Sequence, residues 1–342
     1  MIAGEKTRYD LIIVGAGPAG LAAALSAKGL GLDYLLLEKG AIANTIAGFP
    51  LARVLFSTAE EVELEIGALQ AGVRPAREQV LDHYTGIAAR EEMNIHTGEN
   101  VTNLTKIGDW FVVKTEADEY HSRSVLLAIG GFGRPRELGV PGATDSRVSY
   151  RIVEADTFAS RSVLVIGGGN SAAEAALALS EAGARVALSF RSPDMDGKNA
   201  SGNVKIKPWV RKPLERAAEM GLIRILAGSR VVRITDHSAI LTVAKHDTAK
   251  EVEIECDHIF ALIGADPDTT LLEAAGAQLA SDGRPIYDEG SYETTVPGLY
   301  VAGHITRDLH MKNAAPVARR VVARIAEGVS GIRAIREPCS AG

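Results

Sequence analysis

At 342 residues the chain is long for one hydrophobic core and suits two domains, and its formal net charge of −6, with no long basic run, argues against a nucleic-acid partner. Its 35 glycines fit tight βα turns, and its two cysteines, Cys256 and Cys339, give neither a disulfide framework nor a C-x-x-C. The polar stretch 1–10 lacks the apolar core of a secretory signal, and no uninterrupted apolar run reaches membrane-spanning length, so a cytoplasmic protein with neither membrane span nor metal site is expected.

The first chemical signal lies between Tyr9 and Lys39. An apolar run, Leu11-Ile12-Ile13-Val14, enters Gly15-Ala16-Gly17-Pro18-Ala19-Gly20; an Ala/Leu-rich segment follows, then a second apolar run ending Leu37-Glu38-Lys39. This reads as strand, turn, helix, strand, with glycines spaced G-x-G-x-x-G. Gly15 allows a tight turn, Gly17 lets the backbone approach a pyrophosphate, and Gly20 lets helix and strand pack closely. The start of the helix, at Pro18 and Ala19, then faces the phosphates. Glu38, eighteen residues past Gly20, stands where a carboxylate accepts both hydroxyls of an adenosine ribose. A dinucleotide with a free 2′-hydroxyl is the expected ligand, because strand, helix and acid stand at distances a merely structural glycine turn does not need.

Beyond Glu38, segment 40–50 is rich in small and turn residues and 51–71 has no clear periodicity. In a dinucleotide fold this stretch wraps the far end of the ligand. Helical character runs over 79–90. Strands are expected at 94–96, Val101–Ile107, Trp110–Thr115 and 119–128, with Gly108-Asp109 as a hairpin signal. Val125 to Gly131 reads as a buried strand entering a glycine turn, a return to the first sheet. Gly133-Arg134-Pro135-Arg136 and Val140-Pro141-Gly142 then mark a domain crossover.

A second unit repeats the first: Ser162–Ile166, Gly167-Gly168-Gly169-Asn170-Ser171-Ala172, a helix over 173–182 and a strand over Arg185–Phe190, now spaced G-x-G-x-x-A. The strand runs into Arg191-Ser192 without an acid, so a ribose 2′-hydroxyl is not the obvious partner. Arg191, with Lys198 nearby in sequence, reads either as the holder of a 2′-phosphate or as a solvated loop charge. A helix over 213–220 and four strands from Ile223 onward follow. Residues 256–264 read as a buried strand ending at Gly264, the second crossover, and Leu299-Tyr300-Val301-Ala302-Gly303 leads to a terminal helix over 319–326.

Two dinucleotide units in this order, closed by strand-plus-glycine turns at Gly130 and Gly264 and by Val301-Ala302-Gly303, resemble the two-dinucleotide-binding-domain flavoproteins over nearly the whole chain. The resemblance implies an α/β fold of two Rossmann-like three-layer domains, the NADPH domain (134–264) inserted into the FAD domain (1–133 and 265–342). The second glycine turn is similar to that of the low-molecular-weight thioredoxin reductase branch. On this likeness FAD is held by Gly15, Gly17, Pro18, Ala19, Gly20, Glu38, Lys39, Gly130, Gly303, His304, Lys312 and Ala314. NADPH, with NADH as the alternative, is held by Gly167, Gly169, Asn170, Ser171, Ala172, Arg191, Lys198 and Gly264. The start of the last helix, around Lys312-Asn313-Ala314, is implied to lie under the flavin, its positive end stabilising the reduced anion. Lys312 either adds charge there or is an ordinary helix-start lysine. His304 stands where many relatives carry an Asp, and reads either as a flavin hydrogen-bond partner or as a core or surface histidine.

Two departures bear on the chemistry. Where thioredoxin reductases carry C-x-x-C this chain has Val148-Ser149-Tyr150-Arg151-Ile152-Val153, which excludes reduction of thioredoxin through an internal disulfide. The bacillithiol disulfide reductase-like group also lacks C-x-x-C. It resembles this chain more closely, at Glu38-Lys39-Gly40, Ile206-Lys207-Pro208-Trp209, Ala261-Leu262-Ile263-Gly264 with Pro267-Asp268, and Tyr292-Glu293-Thr294. That group is associated with a cysteine inside the first glycine turn, and the matching residue here is Ala19. The resemblance implies a homodimeric, FAD-dependent, NADPH-oxidising reductase acting on a low-molecular-weight disulfide or another small-molecule or small redox-protein acceptor. One alternative is a thioredoxin reductase-like ferredoxin- or flavodoxin-NADP reductase, against which the lack of an aromatic tail over 335–342 counts. The other is a flavin-based redox sensor. Cys256 reads as a buried hydrophobe and Cys339 as a loose tail thiol.

Overall fold

The structure, a computed structural model, describes residues 8–51, 53–152, 154–197, 205–245, 248–307 and 311–336. Its elements begin with β1 (Arg8–Val14), α1 (Pro18–Gly29), β2 (Tyr34–Glu38), the short α2 (Asn44–Ala47) and α3 (Ala59–Val62), and α4 (Arg77–Arg90). Then come β3 (Ile95–Thr97), β4 (Val101–Ile107), β5 (Trp110–Thr115), β6 (Glu119–Leu127), β7 (Arg134–Pro135), β8 (Val148–Ser149), β9 (Ser162–Ile166), α5 (Asn170–Glu181) and β10 (Arg185–Phe190). The chain continues through α6 (Pro208–Glu219), β11 (Ile223–Ala227), β12 (Ser229–Ile234), β13 (Ser238–Lys245), β14 (Thr248–Glu255) and β15 (His258–Ala261). It closes with β16 (Ala265–Asp266), α7 (Thr270–Ala274), β17 (Leu299–Val301) and α8 (Met311–Arg336). Contacts divide it into one unit of Met1–Ala47, Ala52–Arg134 and Asp266–Gly342 and another of Gly48–Leu51 and Pro135–Ala265.

In the first unit the parallel strands stand in the order β3-β2-β1-β6. β6 then forks. Its first half pairs antiparallel with β5, which pairs with β4, while Val125–Leu127 pair in parallel with β17. The chain leaves β1 through α1 toward β2, and β6 lies on the other flank, so the carboxyl end of β1 is a topological switch point where α/β sheets place ligands. Every residue of β2 and the last four of β1 are buried, the pattern of strands covered on both faces. Helix α1 is buried nearly all round, from Ala19 to Ala24 and at Ala27, because the sheet and α8 both pack on it. One continuous core unites Ile12, Val14, Leu35, Leu37, Phe111, Leu127, Leu299 and Val301, each such side chain contributing about 1.5–3 kcal/mol.

In the second unit β11-β10-β9-β15-β8 form a wholly parallel sheet, and β12-β13-β14 an antiparallel meander. Val231, Ile234, Leu241 and Ile254 of the meander share a core with Leu164, Ile166, Ala187 and Ile259 of the sheet. Three sequence expectations are corrected. Helix α6 starts at Pro208 rather than 213 and runs through Pro213, because Val210, Leu214 and Ala217 form a buried stripe that outweighs one lost backbone bond. Helix α8 starts at Met311 rather than 319 and likewise contains Pro316. The strand expected over 256–264 is only His258–Ala261, and Cys256 precedes it. Among the described residues no helix is long and apolar enough to cross a membrane.

Candidate cofactor sites

In the first unit the buried run of β1 ends at Gly15, whose φ is +103°. A Cβ on Gly15 would lie 2.6 Å from the Ala128 carbonyl oxygen, and one on Gly20 only 1.8 Å from that of Gly15. Packing inside the protein therefore requires both glycines. Gly17 differs: a Cβ there would meet nothing within 4 Å, and its φ is −79°, open to any residue. It heads α1 with no side-chain cap, Pro18 in the first turn and no acid there, the makeup of a helix start that receives an anion. The residues present fit a pyrophosphate.

Glu38 closes β2 at 7% exposure. Its Oε2 accepts the Ala16 N–H at 2.7 Å and its Oε1 the Gly40 N–H at 2.9 Å. Each carboxylate oxygen has a second lone pair, so the group braces the glycine turn and can still accept a ribose hydroxyl. Sequence spacing pointed to the ribose and missed the brace. Lys39 is exposed beside it.

The other strand ends converge on the same turn. β17 runs beside the end of β6, and Ala302 N–H donates to the Leu127 oxygen at 3.1 Å. A Cβ on Gly303, at φ +76°, would lie 3.1 Å from that of Ala19, and one on Gly131 would lie 2.8 Å from the His304 oxygen. The structure thus brings Gly15, Ala19, Gly20, Gly303 and His304 together, with Gly130 next to Gly131. The His304 ring meets the edge of exposed Phe132, centroids 5.3 Å apart at 90°. Helix α8 packs on α1 and on the turn at Gly303, with Ala314 buried and Lys312 exposed in its opening turns.

In the second unit a Cβ on Gly167 would lie 2.3 Å from the Leu262 oxygen and 2.9 Å from the Ala172 Cβ. Gly169 repeats the Gly17 pattern: nothing lies within 4 Å, and it heads α5 without a side-chain cap or an acid in the first turn. Asn170 is engaged, its Oδ1 accepting the Lys207 N–H at 2.7 Å, and Ser171 is exposed. Arg191 is exposed one residue past β10, at the same carboxyl edge as Gly167, and Gly264, three residues past β15, lies at that edge too. The loop bearing Arg191 is strapped by the Arg211–Asp196 ion pair and by Gly228 N–H donating to the Ser192 oxygen at 2.7 Å. Lys198 and Cys339 lie outside the described residues.

Cys256 lies at the opposite end of this sheet, two residues before β15, at 4% exposure. Burial, the main cause, pushes its thiol up to about 11, so it stays protonated at neutral pH. In segment 148–152 Ser149 Oγ is 2.9 Å from His258 Nε2.

Residues 12–303 match the family model described as pyridine nucleotide-disulphide oxidoreductase. The chain belongs to that family. It is an oxidoreductase with the two-domain thioredoxin reductase-like fold. The bacilliredoxin reductase Bdr of Bacillus subtilis (strain 168) is 31% identical over 297 residues, 86% of this chain and 89% of its own. Two solved structures of bacillithiol disulfide reductase Bdr cover 94% of this chain. That from Staphylococcus aureus has a TM-score of 0.86 at 27% identity, over 99% of its length, and that from Bacillus cereus 0.85 at 31%, over 100%. A ferredoxin–NADP reductase of Ignicoccus hospitalis is 28% identical over 331 residues, 96% of this chain and 97% of its own.

Proposed function

We propose that the protein is an FAD-dependent reductase that oxidises NADPH and reduces a low-molecular-weight disulfide of the bacillithiol type. The observation that carries this reading is the pair of open glycines, Gly17 and Gly169. Each heads an uncapped helix at the carboxyl edge of a parallel sheet, and an acid, Glu38, closes only the first. FAD suits the first unit, with its ribose on Glu38 and its pyrophosphate against Gly17 and the start of α1. NADPH suits the second, where Arg191 stands in the place of an acid and can face a 2′-phosphate. When bound, FAD takes two electrons from NADPH and hands them on. With a disulfide as acceptor, NADPH, one proton and the disulfide give NADP⁺ and two thiols.

The chain's own part is position and electrostatics. Gly303, held against Ala19, and His304, held against Gly131, form the wall beside the first turn, and the opening turn of α8 supplies its positive end, to which Lys312 adds charge. This reading carries with it a homodimer, checked by light scattering, and the reducing cytoplasm as its compartment.

Ala19 favours a second reading. No thiol stands in the first turn, and an electron-carrier protein, as in a ferredoxin- or flavodoxin-NADP reductase, needs none. The deciding experiment is anaerobic: bleach the bound flavin with stoichiometric NADPH, then add either a panel of low-molecular-weight disulfides or ferredoxin and flavodoxin. Reoxidation by a disulfide supports the first reading, reoxidation only by the carriers replaces it with the second, and absence of bleaching sinks both.

A further inference from the structure

In the first unit the turn at 303–306 is gripped from three sides. Gly131 lies against the His304 oxygen, and Ala19 lies against Gly303. From the third side comes Arg284, partly buried in the loop after α7. Its Nη1 donates to the oxygens of His304 at 2.9 Å and Ile305 at 3.4 Å, and to that of Thr306. Within the turn, Thr306 N–H and Oγ1 both donate back to the Gly303 oxygen, at 3.0 and 2.8 Å.

Three successive carbonyls directed at one point crowd their negative ends together, and Ile305 and Thr306 are buried. A shared guanidinium, with several fixed donors, relieves that repulsion and replaces lost water; an ammonium is a point charge that satisfies fewer of them. The described backbone has no cis peptide bonds, so each N–H opposes its carbonyl. Turning the His304 carbonyl to Arg284 therefore turns the Ile305 N–H away from it.

We propose that Arg284 is a positioning residue for the flavin: by clamping the 304–306 carbonyls it fixes the turn bearing Gly303 and His304 against the first glycine turn, and so sets FAD affinity and flavin potential. The proposal rests on the first unit being the FAD site. It assigns a role to a side chain that grips backbone oxygens and acts through the turn.

The test compares Arg284→Met, Arg284→Lys and Gly131→Ala. The readouts are the FAD dissociation constant of the apoprotein, the visible spectrum of the bound flavin and its midpoint potential. Arg284→Met should weaken FAD by about tenfold or more and shift spectrum and potential, with Arg284→Lys recovering part of the loss. Gly131→Ala, which presses on the same oxygen without touching Arg284, should move all three readouts in the Met direction. If Arg284→Met does not fold, the other two variants carry the test. A lowered melting temperature with unchanged FAD affinity and potential makes Arg284 a structural residue only and overturns the proposal. A wild-type chain that takes up no FAD overturns the cofactor reading and the proposal together, an outcome visible before any variant is made.

Discussion

Replacing Glu38 by glutamine keeps the shape of the side chain and removes its charge, which separates its two duties. The carboxylate accepts the Ala16 and Gly40 N–H groups at 2.7 and 2.9 Å while nearly excluded from water. A hydrogen bond to a charged acceptor contributes about 1.5–3 kcal/mol, and glutamine keeps one acceptor oxygen while its NH₂ confronts the other N–H. Since Gly40 is only partly buried and recovers some solvation, the apoprotein should lose about 2–3 kcal/mol. For a unit of this size each kcal/mol moves the melting temperature by about 2–4 °C, so the first unit should melt roughly 4–12 °C lower. Losing the charged ribose acceptor should weaken FAD by about tenfold besides. The assay is calorimetry of the flavin-free protein, followed by FAD titration of whatever remains folded. An apoprotein melt that superposes on the wild type would refute the bracing role, and a lowered melt with wild-type FAD affinity would refute the ribose contact.

Gly17→Ala should change apoprotein stability by no more than about 1 kcal/mol, since the methyl meets no protein atom and the lost N-cap preference for glycine offsets the entropy gained, yet weaken FAD strongly. Gly169→Ala should raise the KM for NADPH with FAD retained, whereas Gly15→Ala should destabilise the fold itself. Cys256→Ala should leave turnover unchanged, and the native thiol should resist iodoacetamide, because burial holds it protonated; rapid alkylation would contradict this. Neutral His83 accepts the Leu64 N–H at Nε2, 3.0 Å, and burial is the largest cause lowering its pKa from 6.5. The unfolded chain therefore takes up the proton first, so this contribution is whole above about pH 6.5 and is lost as pH falls below it; His83→Gln should flatten the melting-temperature profile there. Ala19→Cys places a thiol in the first turn of α1, where the helix end lowers its pKa. Under the disulfide reading the variant becomes alkylatable without gaining kcat; a disulfide reductase activity created from a wild-type baseline of none would shift the assignment to electron carriers.

Strands β4, β5, β9 and β10 run over the residues their alternation or apolar runs mark in the sequence, because each is bounded by local turn signals such as Gly108-Asp109 and Gly167-Gly168. The starts of α6 and α8 were hidden by Pro213 and Pro316, which read locally as helix starts or stops; tertiary burial of Val210 and Leu214, or of Val317 and Val321, decides instead. Glu38 stood out from its spacing, but its grip on Ala16 depends on β2 lying parallel beside β1, which no local pattern reports. Arg284 gave no signal at all, being one cation in a polar loop whose targets lie some twenty residues onward. Cys256 was expected inside a strand because its neighbours are apolar; it lies just before β15, and its burial comes from the core shared with the meander.

The two glycine turns differ in a way that separates what the fold needs from what a ligand needs. In the first, glycine at position 20 lets α1 approach so closely that a methyl would collide with the Gly15 oxygen; in the second, Ala172 carries that methyl and Gly167 opposite has none. Small residues at the outer positions are thus explained twice over by contacts inside the protein, and either turn would keep them if it bound nothing. Gly17 and Gly169 are not explained this way. Both have negative φ and open space where a side chain would stand, so neither backbone geometry nor packing inside the protein requires glycine there. A glycine that no contact inside the protein requires, at the same place in two separate turns, is accounted for by something that approaches the backbone there, and a phosphate at the start of a helix is the chemistry that does so.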